Sequence, residues 1–199
     1  GPGFGGSCFQ KDILNLVYLC RHFGLPEVAD YWESVVALNT WQQHRIARLV
    51  VQKLFGTVTG KRLAILGFAF KADTNDTREA PAIRICQDLL EEGAQLVIHD
   101  PKVATDQMAR DLQQESASQV DALSGSGSWA RANSVEDAVM GADAVLVLTE
   151  WQHYRDLNWQ ALAARMRKPA WVFDARAVAD PAQIKAAGLS LWRVGDGEG

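Results

Sequence analysis

The sequence lacks the features that mark several classes of protein. Cysteine is rare: 3 of 199 residues are too few for a disulfide framework or a zinc site. An odd number of cysteines favours reduced thiols, and hence a cytoplasmic protein. Basic residues are not in excess, since 20 Lys and Arg stand against 24 Asp and Glu, so we expect no nucleic-acid partner. Apolar runs such as residues 144–148 are far too short to cross a bilayer, so we expect no membrane partner.

The first part of the chain has the hydrophobic periodicity of helices. Apolar residues at steps of three and four over residues 13–20 predict a helix that ends at Gly24. A second helical pattern runs over residues 26–55, roughly 30 residues against ~11–12 for an average helix. Such a length is typical of a helix that joins two domains or packs against its copy in another subunit. The alternative is two ordinary helices that are broken near residues 39–40.

After a turn over residues 56–60, short strands alternate with helices. The sequence predicts strands over residues 62–66, 95–99, 144–148, 170–173 and 190–194, and helices over residues 80–92, 134–140, 159–166 and 181–187. This alternation is typical of an α/β fold whose parallel sheet is covered by helices on both faces. Residues 113–131, which include a Ser-Gly repeat, are expected to be a surface insertion. We therefore expect two domains, the N-terminal helices over 1–56 and the sheet domain over 57–199.

The N-terminal glycines have a misleading spacing. Gly1, Gly3 and Gly6 match the G-x-G-x-x-G fingerprint of dinucleotide-binding folds. That fingerprint requires a strand before it and an acidic residue at the end of the next strand, and the sequence shows neither. We interpret residues 1–8, the glycine loop, as a flexible segment whose bare backbone lets a ligand approach Cys8 closely.

Cys8 is the strongest candidate for chemistry. It lies between the glycine loop and a helix start, where the positive end of the helix dipole stabilises a thiolate. Lys11 adds a positive charge, and Asp12 lies one turn after Cys8 on the same helical face. A thiolate beside a carboxylate suits covalent chemistry on a carbonyl carbon, because the carboxylate can activate the water that releases the acyl group. The alternative is a small buried cysteine, as we predict for Cys20 and Cys86.

The four histidines are not spaced as metal ligands are, so we expect no metal site.

Three loops follow predicted strands and therefore meet at one edge of the sheet. Residues 67–79 follow the first strand and carry Lys71 and Arg78, two cations that suit a phosphorylated ligand. Residues 149–151 follow the third strand, and Arg176 follows the fourth. Open α/β folds bind ligands at this edge, so the cations predict a site for an anionic small molecule. The alternative is a set of polar loops with solvated charges.

Several motifs occur together in an order that is similar to that of one enzyme family. Residues 5–12 (GGSCFQKD) resemble the active-site cysteine segment of the UDP-glucose 6-dehydrogenases, in the UDP-glucose/GDP-mannose dehydrogenase family. Further matching segments are 63–71 (LAILGFAFK), 73–79 (DTNDTRE), 99–101 (HDP), 141–144 (GADA), 149–151 (TEW) and 173–176 (FDAR). The resemblance covers nearly the whole chain, and the joint match is far more specific than any single motif.

The resemblance implies a Rossmann-like sheet domain that binds a UDP-sugar, and the oxidation of UDP-glucose to UDP-glucuronate with two NAD+. Cys8 would be the catalytic nucleophile that forms a thiohemiacetal and then a thioester, and Asp12 would assist the water chemistry. The implied substrate-binding residues are Phe4, Gly5, Phe9, Phe70, Lys71 and Arg176, and the implied NAD-binding residues are Lys11 and Arg78. The long helix would be the core of a homodimer or of a larger homo-oligomer.

Two departures from the family pattern leave alternatives open. Ala175 stands where the family commonly has Gly, which bears on how the loop of Arg176 is placed. The family's N-terminal NAD-binding domain is not found in this sequence, so we expect a piece of a longer protein that is inactive by itself. One alternative is a dehydrogenase of UDP-N-acetylmannosamine or GDP-mannose, although Gln10 and residues 70–71 favour UDP-glucose. Another is a non-catalytic nucleotide-binding or dimerisation module, against which the presence of both catalytic candidates argues.

Overall fold

The computed structural model describes residues 1–118 and 127–197, which contain seven α-helices and six strands. The helices are α1 (Phe9–His22), α2 (Pro26–Lys53), α3 (Pro81–Glu91), α4 (Thr105–Leu112), α5 (Val135–Ala138), α6 (Trp159–Ala163) and α7 (Pro181–Ala186). The strands are β1 (Arg62–Leu66), β2 (Gln95–His99), β3 (Ser128–Arg131), β4 (Ala144–Val147), β5 (Trp171–Asp174) and β6 (Ser190–Arg193). Two N-terminal helices therefore precede a region of alternating strands and helices, as the sequence predicts.

The two N-terminal helices are joined by a short turn. Gly24 has a φ of 73°, in the left-handed region that favours glycine, and Pro26 begins α2, where its missing N–H costs little. The helix α2 is unbroken over 28 residues. The predicted long helix is confirmed, and the alternative of a break near residues 39–40 is wrong.

The six strands form one sheet in which every pair of neighbours is parallel, in the order β3-β2-β1-β4-β5-β6. The chain moves in one direction from β1 to β3 and in the other direction from β4 to β6. Because parallel crossovers are right-handed, this reversal places the helices of the two halves on opposite faces. The order is that of a Rossmann fold, with a switch point between β1 and β4, and the predicted α/β class is confirmed.

Two elements depart from the predicted pattern. Residues 128–131, predicted to be part of a surface insertion, form the edge strand β3, in which Trp129 is 1% exposed. The Nε1–H of Trp129 donates to the Gln114 carbonyl at 3.0 Å, which ties the preceding segment to the strand. A four-residue edge strand beside serine and glycine has too little periodicity to be recognised. The helix α4 is not predicted either, because it buries only two apolar side chains. The part of the predicted insertion at residues 119–126 lies outside the described residues.

The long helix α2 contributes to two hydrophobic clusters. Its second half adds Ile46, Val50 and Leu54 to the large core around the sheet. Its first half packs against α1, with Val17 and Ala29 buried between the two helices. Because one continuous helix belongs to both clusters, α2 sets the position of α1 relative to the sheet. In the described ranges, no helix is both long and apolar enough to span a membrane.

Candidate active site

The candidate site is built on the carboxyl ends of β1, β4 and β5. The chain leaves β1 at Gly67, whose φ of 95° lies in the left-handed region. A Cβ on Gly67 would lie 2.3 Å from the Cβ of Thr149, so glycine is required for the two loops to approach this closely. The Thr149 hydroxyl donates to the Ala69 carbonyl at 2.6 Å. These contacts join the loops at the switch point of the sheet, where open α/β folds bind ligands.

A buried carboxylate, that of Asp100 after β2, organises the surrounding loops. Its Oδ2 accepts hydrogen bonds from the backbone N–H groups of residues 68 and 69, at 2.7 and 3.1 Å, and from Nε1 of Trp151 at 3.2 Å. Its Oδ1 accepts from the backbone N–H groups of residues 102 and 103, at 2.9 and 3.0 Å. The segments after β1, β2 and β4 are therefore tied to one side chain.

Arg176, in the loop after β5, places a positive charge at this edge. Its Nε–H donates to the Leu148 carbonyl at 2.8 Å, and a terminal N–H donates to the Phe70 carbonyl at 3.0 Å. A carboxylate oxygen of Glu150 lies 3.1 Å from the same Nε. Burial lowers the pKa of the Arg176 guanidinium, and the charge of Glu150 opposes that shift. Because an arginine guanidinium is not deprotonated in proteins, the side chain stays charged.

The alanine before Arg176 fits its place in the loop after β5. Ala175 is fully buried, and its N–H donates to the Val147 carbonyl at 3.1 Å. The carboxylate of Asp174, the residue before it, accepts from the N–H groups of Arg176 and Ala179, which follow it, at 3.1 and 2.9 Å. The loop is therefore closed around Asp174 with a methyl group at position 175.

The glycine loop packs against the same edge of the sheet. The Gly6 N–H donates to the Arg78 carbonyl at 2.8 Å, and a Cβ on Gly6 would lie 3.0 Å from the ring of Phe70. The contact at Gly5 is closer still, because a Cβ there would lie 2.3 Å from the Glu79 carbonyl oxygen. Glycine at these two positions allows the glycine loop to approach the backbone of residues 78 and 79 closely. The loop leads into α1, which packs against α2, so the glycine spacing belongs to no dinucleotide fingerprint.

Cys8 ends the glycine loop directly before α1, and its thiol is exposed. The Sγ atom lies 3.6 Å from the Ser7 hydroxyl oxygen. The Cys8 carbonyl accepts from the Asp12 N–H at 2.8 Å, so the residue opens the first helical turn. Asp12 and Lys11 are exposed and form an ion pair at 3.3 Å. The alternative of a buried Cys8 is wrong, whereas the other two cysteines are buried as predicted.

An open cavity of about 450 Å³ lies between the start of α1 and the loop before α3. Ser7 and Lys11 line it on one side, and Arg78 lines it on the other. The Arg78 guanidinium donates two hydrogen bonds to the carboxylate of Asp76, at 2.9 and 2.7 Å. This pairing lowers the pKa of Asp76. It also raises the pKa of Arg78, to which nearby Cys8 contributes as well. Two cations therefore line the cavity, and the residue next to Ser7 in the chain is Cys8.

The predicted site residues fall into two neighbouring groups. The first group consists of Gly5, Phe70, Lys71 and Arg176, and the second of Cys8, Lys11, Asp12 and Arg78. Gly6 joins the two groups, because it lies against the Phe70 ring of the first and its N–H donates to the Arg78 carbonyl of the second. Within the first group, the Lys71 ammonium lies 5.3 Å from the Phe70 ring. Phe4 and Phe9 meet edge to face, with ring centroids 4.6 Å apart. Among residues 1–118 and 127–197, no group of three or more His, Cys, Asp or Glu side chains is placed to hold a metal ion.

Comparison with protein families agrees with this architecture. The UDP-binding domain of the UDP-glucose/GDP-mannose dehydrogenase family matches residues 64–181, more than half of the chain. The chain belongs to this family. The central domain of the same family matches residues 1–41, which include the glycine loop, Cys8 and α1.

Members of the family align with nearly the whole chain. It is 45% identical over 204 residues to UDP-glucose 6-dehydrogenase 5 of Oryza sativa subsp. japonica, covering 97% of this chain and 42% of that protein. It is 44% identical over 201 residues to UDP-glucose 6-dehydrogenase 1 of Arabidopsis thaliana, with the same coverage. A UDP-glucose dehydrogenase structure from the archaeon Pyrobaculum islandicum matches with a TM-score of 0.71 at 25% identity, covering 97% of this chain and 38% of that one. The chain therefore spans less than half the length of these relatives.

Two buried polar residues complete the site and escape prediction from the sequence. Asn39 lies inside α2 and binds the backbone of Phe4 in the glycine loop. Asp100 joins three loops at the sheet edge. The available signals were an asparagine inside an apolar helical pattern, which is a poor helix former, and an aspartate directly after a strand. Neither signal identifies the remote partners, which are Phe4 for Asn39 and residues 68, 69 and 151 for Asp100.

Proposed function

We propose that this chain supplies the catalytic cysteine and the UDP-binding surface of a dehydrogenase that oxidises UDP-glucose to UDP-glucuronate with two NAD+. One observation carries the proposal: the glycine loop seats an exposed thiol, Cys8, beside the cation-bearing switch point of a Rossmann-like sheet. The UDP-glucose 6-dehydrogenases with which the chain shares about 45% identity support the choice of sugar. We also propose a division into residues 1–56 and 57–199.

The UDP-sugar would bind at the first group of residues. Arg176 is a fixed cation held by two backbone carbonyls, and Lys71 is an exposed cation beside the Phe70 ring. A diphosphate requires such charges, and a guanidinium that is already oriented loses little entropy when it binds an anion. Gly5 and the Phe4–Phe9 pair would complete the wall on the side of the glycine loop.

Cys8 would carry the covalent step. Its thiolate adds to the aldehyde carbon of the half-oxidised sugar, which forms a C–S bond and a thiohemiacetal. Loss of a hydride from that carbon leaves a thioester. Asp12 then takes a proton from water, the water oxygen forms the new C–O bond, and the C–S bond breaks to release carboxylate and thiol. The exposure of both side chains gives the required water free access.

The cavity beside Cys8 fits the remaining reactant. Lys11 and Arg78 stand on its two sides, and cations in this position suit the pyrophosphate of a dinucleotide. When bound, NAD+ accepts one hydride in each of the two oxidation stages. Two cations alone do not form a dinucleotide-binding fold, so we propose that the isolated chain turns over no substrate.

The test uses the complete protein and follows NADH formation with UDP-glucose, UDP-N-acetylmannosamine and GDP-mannose. We expect two NADH per UDP-glucose and slower reactions with the other two sugars. Cys8→Ser should lower kcat by about 10³-fold or more, because the nucleophile is lost. The matched control Cys20→Ala removes a buried thiol instead and should keep the rate within about threefold. UDP binding by calorimetry without any NADH would favour a non-catalytic nucleotide-binding module.

We propose further that α2 pairs with its copy in an antiparallel homodimer. Its outer side carries Glu27 and Asp30 near the start, Leu38 and Trp41 in the middle, and Arg48 near the end, all of them exposed. Leu38 and Trp41 are 63% and 50% exposed, which is unusual for such large apolar side chains. A two-fold axis near the middle brings the apolar residues together and places acidic ends opposite basic ends.

Charge reversal tests this arrangement in light-scattering measurements of molar mass. Arg48→Glu should weaken the dimer about tenfold or more, because it faces the partner's acidic end. The double variant Asp30→Arg with Arg48→Glu should restore the dimer. The control Arg110→Glu makes the same charge change on α4 and should leave the dimer intact. Equal weakening by Arg110→Glu, or no effect of Arg48→Glu, would contradict the antiparallel arrangement.

The unpaired state of all three cysteines supports our further proposal of a cytoplasmic setting.

A further inference from the structure

The side chain of Asn39 links the long helix to the glycine loop. Asn39 lies near the middle of α2 and is 6% exposed. Its Oδ1 accepts from the Phe4 N–H at 2.8 Å, and its Nδ2–H donates to the Phe4 carbonyl at 3.1 Å. One amide therefore binds both polar groups of a single loop residue. A side chain without both a donor and an acceptor would leave part of this peptide unpaired.

Phe4 passes this constraint to the residue after Cys8, and a separate contact holds the loop before Cys8. Its ring meets the ring of Phe9, the residue after Cys8, edge to face at 4.6 Å. Before Cys8, the Gly6 N–H is bound to the Arg78 carbonyl at 2.8 Å. The thiol itself is exposed. Its position therefore follows from how its neighbours in the chain are held.

The helix has no stability reason of its own for an asparagine at this place. Asparagine is a poor helix former because its side chain competes for backbone hydrogen bonds, and burial of an amide is costly unless it is bonded. The benefit of Asn39 lies in the loop that it holds. Because this contact is made from the middle of α2, the position of the loop depends on the helix as well as on the sheet.

We infer that Asn39 is a positioning residue for Cys8: by clamping Phe4 it holds the glycine loop so that the thiol meets C6 of the nucleotide sugar. The inference rests on the proposed function. A displacement of about 1 Å from the reactive geometry can cost roughly 10²-fold in rate. The contacts of Arg176 with the strand-end loops do not involve Asn39, so UDP binding should survive its removal.

The experiment compares Asn39→Ala with Thr40→Ala in the complete protein. The Thr40 hydroxyl donates to the Val36 carbonyl of its own helix at 3.2 Å and is exposed, so Thr40→Ala is a matched control on the same turn. We expect Asn39→Ala to lower kcat by about tenfold or more. The dissociation constant of UDP should change by less than about threefold, and Thr40→Ala should leave both values unchanged.

Two further measurements separate positioning from general destabilisation. Hydrogen exchange at the backbone amides of residues 4–9 should become about tenfold faster or more in Asn39→Ala, and exchange in the sheet should not change. Asn39→Asp supplies a rescue: the neutral acid can donate to the Phe4 carbonyl, whereas the carboxylate cannot. The ratio of its kcat to that of the wild type should therefore lie below one at about pH 8, and it should rise as the pH falls through the pKa of the new carboxyl group.

The outcomes distinguish this inference from the proposed function. A wild-type protein that forms no NADH with any nucleotide sugar refutes the function, and hydrogen exchange still reports whether Asn39 orders the loop. If the wild type is active and Asn39→Ala keeps its kcat and its exchange rates, the inference is overturned. Where Asn39→Ala does not fold, Asn39→Asp decides the matter: values of kcat and of loop exchange equal to those of the wild type at about pH 8 also overturn the inference.

Discussion

Replacement of Asp100 by alanine should strongly destabilise the protein. The carboxylate is 1% exposed and accepts five hydrogen bonds, from residues 68, 69, 102 and 103 and from Trp151. Alanine has no acceptor, so these donors lose their partner in a place that water reaches poorly. The loops after β1, β2 and β4 lose their common attachment at the same time.

The size of the effect follows from the burial of the donors. Residues 68 and 103 are fully buried and residue 69 is 1% exposed, so their N–H groups cannot turn to solvent. A buried donor without a partner costs about 1–3 kcal/mol, and such costs add incompletely. We expect a loss of roughly 3–5 kcal/mol in the free energy of unfolding, comparable with breaking a buried ion pair. For a chain of this size the melting temperature should fall by roughly 10 °C.

Urea denaturation, followed by tryptophan fluorescence, measures this loss. Asp100→Asn preserves the shape but turns an NH₂ group toward N–H donors, so it should also be clearly destabilising. Asp106→Ala is the control, because the carboxylate of Asp106 is exposed and pairs with Arg110 on the same helix. A loss below about 1 kcal/mol in Asp100→Ala would refute the reasoning, and so would equal losses in Asp100→Ala and Asp106→Ala.

Three further predictions concern the same edge of the sheet. Gly67→Ala should cost roughly 2–4 kcal/mol in urea denaturation, because its φ is positive and its Cβ would overlap Thr149; an unchanged midpoint would contradict this. Gly5→Ala should lower activity much more than the melting temperature, because a Cβ would push the loop off the Glu79 carbonyl; a loss of stability with unchanged activity would contradict it. Burial, and then the charge of His153, lowers the pKa of His99, so its contribution to stability is present above about pH 6.5 and is lost as the pH falls through the folded-state pKa. Urea denaturation between about pH 7.5 and about pH 5 should show this slope, and His99→Gln should reduce it.

Much of the fold could be predicted because its elements carry strong local signals. The strands β1, β2 and β4 are short apolar runs bounded by turn residues, and α2 has an apolar periodicity that continues for 28 residues. The strand β3 and the helix α4 could not be predicted. Their burial comes from neighbours such as the segment around Gln114, and an edge strand of four residues has almost no pattern of its own.

The candidate site was predictable by residue type and only partly by geometry. Cys8 and the cations are visible as a thiol at a helix start and as charges after strands. The closeness of the glycine loop to the sheet is visible only in the structure, where Gly5 and Gly6 meet Glu79 and Phe70. No spacing rule joins residue 5 to residue 79, because the turn of the chain through α1 and α2 determines their meeting.

The sequence by itself determined the class of fold, the place of the thiol at the start of a helix and the family to which the motifs point. These properties depend on local periodicity and on residue chemistry, which neighbours along the chain define. Tertiary structure alone decided that Asn39 holds the glycine loop, that Asp100 unites three strand-end loops and that Arg176 is anchored by distant carbonyls. Each of these depends on a hydrogen bond between segments that are remote in the sequence, and its partner is in place only once the sheet and the long helix have packed together.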